Sequence, residues 1–504
     1  MSVQNPKASE DLLLTDVAVT GKPDKFDVLV RGGKVDSISP AGQRTHEPIE
    51  THPADGRWLL PGLWDHHVHF AQWTAQRQRI DVSLSRSAAD CLDIVRREIV
   101  AHPDGNTTGH SRALIGYGFQ DGVWPDAPSL EALDRVSPEL PVILVSKDLH
   151  CGWVNTPAAK LMKVSPEPAT GLVREGEWFG ALTGLQDPSM LTVSDYREAA
   201  EAAAKRGVVG IVEFENTDNL SLWPARIDEG VDSLRVEVSV WPERLEAAIA
   251  AGVRTGDVLD SRGLVRMGPL KVVVDGSLNT RTAWCWDPYP GLTAGHPQAC
   301  GVTTVPLDEL EAVMSRAKNS GITAAIHAIG DRANSGVLDA FEELGMTGAI
   351  EHAQLVSASD FERFGALGLI ASVQPEHAMD DRDVADRHWA GRTERAFAFG
   401  SLARAGALMR LGSDAPVSPL DPWIGMSAAV TRFRDGLQPW HPEQVLDLDT
   451  ALAATTRGRS EVEVGSIGDL VLVEQDPFSV SGEDLRQMPV AATMVGGRFT
   501  WYNL

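Results

Sequence analysis

Residues 307–352 read LDELEAVMSRAKNSGITAAIHAIGDRANSGVLDAFEELGMTGAIEH. The stretch parses as helix Leu307–Asn319, strand Thr323–Ile329, helix Asn334–Leu344 and strand Ala349–His352. Strands alternating with helices imply a parallel sheet. The same rhythm extends outward on both sides. Upstream come a helix at Ser194–Arg206, strands Val208–Phe214 and Leu234–Val240, helix Pro242–Ala251 and strand Leu270–Val274. Downstream come helix Ser359–Leu367, strand Leu369–Val373, helix Thr393–Ala405 and strand Leu408–Gly412. An apolar run closing on Pro61-Gly62-Leu63-Trp64-Asp65-His66-His67-Val68-His69 supplies the first strand. The total is eight, the number a (β/α)8 TIM barrel needs.

Both ends of the chain have a different texture. Leu12–Leu14, Val17–Val19, Asp27–Val30 and Lys34–Ile38 read as short strands with hairpin turns, and 468–473, 491–493 and 496–499 repeat the pattern. The expectation is a small composite β-sandwich built from 1–62 with 465–504, flanking a barrel over 63–464. Residues 72–190 do not fit one barrel repeat. They contain a helix (Ala88–Ala101), strand-like 113–116 and 141–145, and much Trp, Gly and Pro. This is expected to be an insertion after the first strand, a lid subdomain over the barrel mouth.

Composition narrows the class. With 504 residues and 43% hydrophobic residues the chain can bury a large core, and its net charge of -25 argues against nucleic acid or an anionic membrane as partner. The four cysteines (Cys91, Cys151, Cys285, Cys300) show no close pairing, so neither a disulfide framework nor a cysteine-rich zinc site is expected. No basic segment followed by an apolar one opens the sequence, and no run approaches a membrane span. A soluble cytoplasmic protein is the expectation.

Catalytic groups of such a barrel sit at the C-terminal ends of its strands. Those ends carry His67 and His69 on strand 1, Lys271 on strand 4, His327 on strand 5, His352 on strand 6 and Asp414 on strand 8. Singly, each has a plain structural reading: a hydrogen-bonded core histidine, a salt-bridged lysine, an aspartate in a turn. Together, four imidazoles, an amine and a carboxylate at five strand ends point to a divalent metal site.

The ordered motifs resemble the amidohydrolase superfamily, and within it the amidohydrolase-3 branch. They are Pro61-Gly62…His67-x-His69; Ser137-Pro138…Asp148…His150…Trp153-Val154-Asn155; Lys271…Asp275-Gly276-Ser277…Arg281-Thr282-Ala283; His327-Ala328-Ile329-Gly330-Asp331-Arg332-Ala333; Ile350-Glu351-His352-Ala353-Gln354; and Gly412-Ser413-Asp414-Ala415-Pro416. The resemblance implies one or two divalent metals, usually zinc. In the binuclear form His67 and His69 with Asp414 hold the first, His327 and His352 the second, and a CO2-derived carbamate on Lys271 bridges them. Burial and cationic neighbours favour the neutral amine that captures CO2. The implied chemistry is hydrolysis of a C–N bond (amide, N-formyl, N-acyl or cyclic amide) of a small molecule, with Asp414 as the catalytic general base and then acid. A mononuclear deaminase or deacylase without need of the lysine, and a retired binding or regulatory protein, are the alternatives. A homodimer is common for such barrels.

Less direct roles fall to other residues. His150, Trp124 and Trp153 are candidate substrate contacts, with a structural histidine and core aromatics as the competing readings. Asp275, Ser277, Arg281 and Asp331 are expected to shape the loops after strands 4 and 5. Two departures from the family pattern stand out. His66 adds an imidazole, expected to point away from His67 and His69 and to pack against the sandwich. Gly118-Phe119-Gln120-Asp121-Gly122, with Trp124 after it, replaces the usual Gly-Trp-Asp.

Overall fold

Eight strands form one all-parallel sheet in chain order: Leu63–Val68 (β1), Val208–Glu213 (β2), Arg235–Val240 (β3), Val265–Val273 (β4), Ala324–Ala328 (β5), Gly348–His352 (β6), Ile370–Val373 (β7) and Leu408–Leu411 (β8). The two outer strands meet at their C-terminal ends. The Asp414 N–H donates to the His67 carbonyl at 2.8 Å and the His69 N–H to the Ala415 carbonyl at 2.9 Å. The Ser413 N–H completes the seam on Asp65 Oδ1 at 2.9 Å. These are the bonds that turn a sheet into a near-closed TIM barrel. The computed structural model describes residues 11–42, 49–103, 105, 112–119, 121, 124–146, 151–174, 178, 181, 191–293 and 295–504.

Alternation along the strands sorts the side chains. Leu270, Val272, Ala324, Ile326, Ile350, Ala371, Val373, Met409 and Leu411 belong to the main apolar core shared with residues of the surrounding helices. The opposite parity carries chemistry. Lys271 lies level with Ala325, His327 with Glu351, Glu351 with Ser372, and Ser372 with Arg410. Helix Leu307–Asn319 buries Leu310, Met314 and Ala317, with Asp308 and Glu309 in its first turn and Arg316 and Lys318 in its last. That distribution complements the helix dipole. Helix Asp331–Leu344 stops at Gly345, whose φ of 53° is the left-handed cap glycine supplies at least cost.

The composite β-sandwich draws on both ends of the chain. Its strands run in the order Arg498–Tyr502, Val490–Val495, Leu470–Val473, Trp58–Pro61, Leu12–Ala18, Lys25–Arg31 and Lys34–Pro40, with Glu50–Pro53 also paired to Leu12–Ala18. The junction is the antiparallel pair Leu470–Val473 with Trp58–Pro61. Strand Leu470–Val473 is buried on both faces: Leu470 and Leu472 enter the sandwich core, Val471 and Val473 the barrel core. The chain divides into two compact units, one made of 1–70 and 200–504 and the other of 71–199. The sheet of the latter runs Leu172–Arg174, Cys151–Val154, Val142–Ser146, Leu114–Phe119, Ile80–Asp81. No helix among the described residues is long and apolar enough to cross a membrane.

Several elements differ from the expectation for local reasons. Leu12–Leu14 and Val17–Val19 belong to one strand, Leu12–Ala18, interrupted by a bulge where Asp16 has φ 58°. Helix Asn219–Asp228 after β2 was not expected, because Pro224 inside it reads as a breaker. The expected helix Thr393–Ala405 divides into a 3-10 turn, Thr393–Arg395, and helix Phe399–Arg404 around Phe397 at φ 49°.

The seam between β1 and β8 gives a first prediction. A Cβ on Gly412 would lie 2.6 Å from the His67 backbone nitrogen and 2.8 Å from its Cβ. Gly412→Ala is expected to cost about 1–3 kcal/mol, the usual penalty of overpacking. Urea unfolding measures the cost, and a drop in metal retained after gel filtration measures the displacement of His67.

Candidate metal centre

His67 is the penultimate residue of β1, and the backbone there departs from regular pairing: Asp65 pairs with Ile211 but Val68 with Glu213. The shift places His67 toward the barrel axis, where its ring lies 4.5 Å from that of Phe214 and 4.8 Å from that of His352. His67 Nδ1 is 2.6 Å from Glu351 Oε2 across the barrel. His69 follows, its Nε2 3.4 Å from Asp414 Oδ1, and His67 Nε2 lies 3.5 Å from the same oxygen.

His352 closes β6 with φ 73° and Ala353 follows at φ 42°. Two left-handed residues in succession are uncommon outside glycine. They turn the imidazole toward the other rings, 4.4 Å from His327 in a T-shaped pair. His352 Nδ1 meets Gln374 Oε1 at 2.8 Å. His327 Nε2 is 3.6 Å from Asp275 Oδ1 and has no hydrogen-bond partner among the described residues. Asp275 itself accepts the N–H groups of Ile329, Gly330 and Trp284 at 2.8–2.9 Å, tying the loops after β4 and β5 together. Asp331 accepts from the Trp286 N–H at 3.0 Å and pairs with Arg395. Ser277 bonds within its own turn to Thr280 and Thr282, and Arg281 holds a left-handed φ of 56°.

Lys271 is 1% exposed, and its Nζ has no hydrogen-bond partner among the described residues and rests 4.3 Å from the Phe214 ring centre. Burial pushes the ammonium down to about 8, against the pull of Glu351 and Asp414 in the other direction. Burial likewise lowers His67 and His352, and takes His327 down to about 3. For Asp414, burial favours the acid, but His67, His69 and His352 outweigh it and hold the carboxyl well below its usual range. For His69, burial favours the neutral ring, but Asp414 and Glu215 outweigh it and raise the pKa.

The donor set fits a divalent cation. Ligand atoms of His67, His69 and Asp414 lie within 4.8 Å of one another, and so do those of His352, His377 and Asp414. Among the described residues, His69 Nδ1, Lys271 Nζ, His327 Nε2 and His377 Nε2 are buried without a hydrogen-bond partner, an arrangement that costs free energy unless something else receives these atoms. His67, His327 and His352, favoured neutral by burial, and the ionised Asp414 are in the protonation states in which such residues ligate metal, whereas His69, raised by Asp414, would release its proton on binding.

His377, Glu351 and Gln374 were given no role by the sequence reading. His377 lies on the short helix Pro375–Asp380 after β7; its ring stacks on His352 at 6.3 Å and its Nε2 is 4.0 Å from Asp414 Oδ2. The signal available was the run Gln374-Pro375-Glu376-His377, since proline at a first helical position starts a helix. His66 bonds through Nδ1 to the Leu411 carbonyl at 3.0 Å and stacks on Trp64, so it packs on β8 instead of the sandwich. Trp153 is fully buried and Trp124 partly buried in the apolar core of the 71–199 unit, their rings 6.2 Å apart. His150 lies outside the described residues, as do Gln120 and Gly122.

The chain is similar to known proteins along most of its length. Over 497 residues the chain is 27% identical to the protein LONG AFTER FAR-RED 3 of Arabidopsis thaliana, covering 88% of this chain and 82% of that protein. Over 531 residues it is 24% identical to the N-substituted formamide deformylase of Arthrobacter pascens, covering 93% and 94%. The fold matches that of an uncharacterized metal-dependent hydrolase from Pyrococcus horikoshii OT3, with a TM-score of 0.75 at 24% identity over 94% of this chain and 99% of that one. The model of the amidohydrolase family matches residues 50–501, from the first residue of strand Glu50–Pro53 to the penultimate residue of strand Arg498–Tyr502. The chain therefore belongs to the amidohydrolase family and is a metal-dependent hydrolase.

Proposed function

We propose that this hydrolase cleaves a C–N bond of a small molecule: an amide, an N-formyl or N-acyl group, or a cyclic amide. The observation that carries the reading is the position of Asp414, with one oxygen 3.4–3.5 Å from the Nε2 atoms of His69 and His67 and the other facing His377. In this reading His67, His69 and Asp414 would hold one cation and His327 and His352 a second, with Lys271, carbamylated, supplying an anionic oxygen donor to the centre. Zinc suits such imidazole and carboxylate donors. When bound, the cations supply Lewis acidity, lowering the pKa of water to about 7 and polarising a carbonyl.

The chain's own residues do the rest. Asp414, ionised, accepts the proton of the attacking water and delivers it to the departing nitrogen, so that the C–N bond breaks with a neutral amine leaving. Glu351 receives the Nδ1–H of His67 and Gln374 that of His352, which fixes both tautomers and leaves each Nε2 lone pair free to ligate. The name of the Arthrobacter pascens relative, an N-substituted formamide deformylase, supports N-formyl amides as the first substrates to try.

The test is a panel assay on zinc- or manganese-loaded protein with N-formyl amides, N-acyl amides, a cyclic amide, a carboxylic ester and an aminopurine. Amine or ring-opened product from the amides, faster than alcohol from the ester, is expected. Ammonia from the aminopurine with no turnover of any amide would replace this reading with a deaminase on the same barrel.

A further inference from the structure

At the opposite end of the barrel, where the strands begin, Arg235, Arg266, Arg457 and Arg459 line a cavity of about 180 Å³ with Trp64, Glu237 and Asp469. Arg235 opens β3, Arg266 is the second residue of β4, and Arg457 and Arg459 follow helix Leu448–Thr455. Four guanidinium groups thus face two carboxylates, in a chain whose net charge is -25.

Both carboxylates are already engaged. Asp469 accepts Nε and Nη2 of Arg235 at 2.6 and 3.1 Å, and the Gly496 N–H at 2.7 Å. Glu237 pairs with Arg457. The guanidinium of Arg457 lies 4.1 Å from the Trp64 ring centre, and the residue itself sits at φ 61°, a conformation that costs a non-glycine residue free energy. Arg266 and Arg459 bond only to carbonyls among the described residues, Gly256 O at 2.8 Å and Thr456 O at 3.3 Å. Behind the wall, Arg410 is bonded to the Met409 carbonyl at 2.9 Å. The crowding registers electrostatically: burial lowers the pKa of Arg459, the charge of Asp469 opposes it, and the charges of Arg457 and Arg235 lower it further.

Ion pairs that merely stabilised this end of the barrel would give each arginine a carboxylate, yet the exposed Arg266 and the half-buried Arg459 pair with none among the described residues. Two surplus forks around a solvent-reachable cavity have another use. We propose that the cavity binds a small divalent oxyanion, with Arg266 and Arg459 supplying the uncompensated charge and Arg235 and Arg457 forming the fixed wall. The guanidinium fork matches phosphate and carboxylate oxygens in pairs. The volume limits the ligand: drug-sized molecules occupy about 300–1,000 Å³, so this cavity takes inorganic phosphate, a short phosphate monoester or a short dicarboxylate.

The test is calorimetric titration of the metal-loaded full chain at low ionic strength, with inorganic phosphate and, separately, succinate. The variant is Arg266→Gln/Arg459→Gln, since replacing Arg235 or Arg457 would strand Asp469 or Glu237 without a partner. One saturable site for a dianion is expected in the parent and about ten-fold or more weaker binding in the variant, with metal content and melting temperature without ligand unchanged. Phosphate bound at the metal centre is common to both proteins and cancels in the comparison. Binding of phosphate alone makes the ligand a phosphate, and equal binding of succinate widens it to dicarboxylates. Equal affinity in both proteins, or no saturable binding of either probe, overturns the proposal.

Discussion

Asp414→Asn is expected to lower kcat by about 10²–10⁴-fold, the contribution of a positioned proton-transfer group, with the fold retained. The backbone makes this substitution clean. Asp414 sits at φ 55°, a region where asparagine is as well tolerated as aspartate. The Asp414 N–H bond to the His67 carbonyl, which helps close the barrel, does not involve the side chain. What the amide removes is the charge that two donor groups share, because Asp414 belongs both with His67 and His69 and with His352 and His377. Metal per chain should therefore fall as well, and steady-state kinetics must be run at saturating metal to separate the two losses. Circular dichroism and the melting temperature report the fold. A variant that keeps kcat within ten-fold at saturating metal would move the proton-transfer role to another group, His377 being the nearest imidazole facing the second oxygen.

The barrel was legible because its strands are short apolar runs separated by helices, and a parallel sheet buried on both faces demands such runs. The ligand candidates were legible because a polar residue closing an apolar run is costly unless it has a task. Direction was harder to read. Strict alternation puts Glu351 and His352 on opposite faces of β6, yet both meet His67, because His352 leaves the strand through a left-handed φ. His66 keeps the alternation, stacking on Trp64 two residues back, but the surface it meets is β8, through the Leu411 carbonyl, which no local pattern announces. His377 stayed hidden since it lies on a helix of six residues, too short to show a period, behind a proline that reads as a stop. The polar inner row made by Glu351, Ser372 and Arg410 emerges only when three strands are set in register.

The second large effect concerns Lys271. An amine reacts with CO2 only when neutral, and burial pushes this one down to about 8. At pH 7 roughly one chain in ten then carries the free amine, against roughly one in 2,500 for a lysine near its ordinary value of about 10.4. The sign follows: the neutral fraction rises with pH, so carbamate should form more completely at pH 8 than at pH 6. Metal-free protein equilibrated with 13C-bicarbonate is expected to show a carbamate carbon resonance that grows over this interval. Intact mass under native conditions should show the gain of one CO2, lost on acidification. Lys271→Met preserves the apolar stem that lies against Phe214 and removes the nitrogen. It should abolish the resonance and lower bound metal from two to one or none. Its loss of metal affinity should exceed the 10–100-fold typical of removing a group that only orients a ligand. Retention of two metals and full turnover by Lys271→Met would assign the lysine to packing alone and leave the reaction to a single cation beside Asp414.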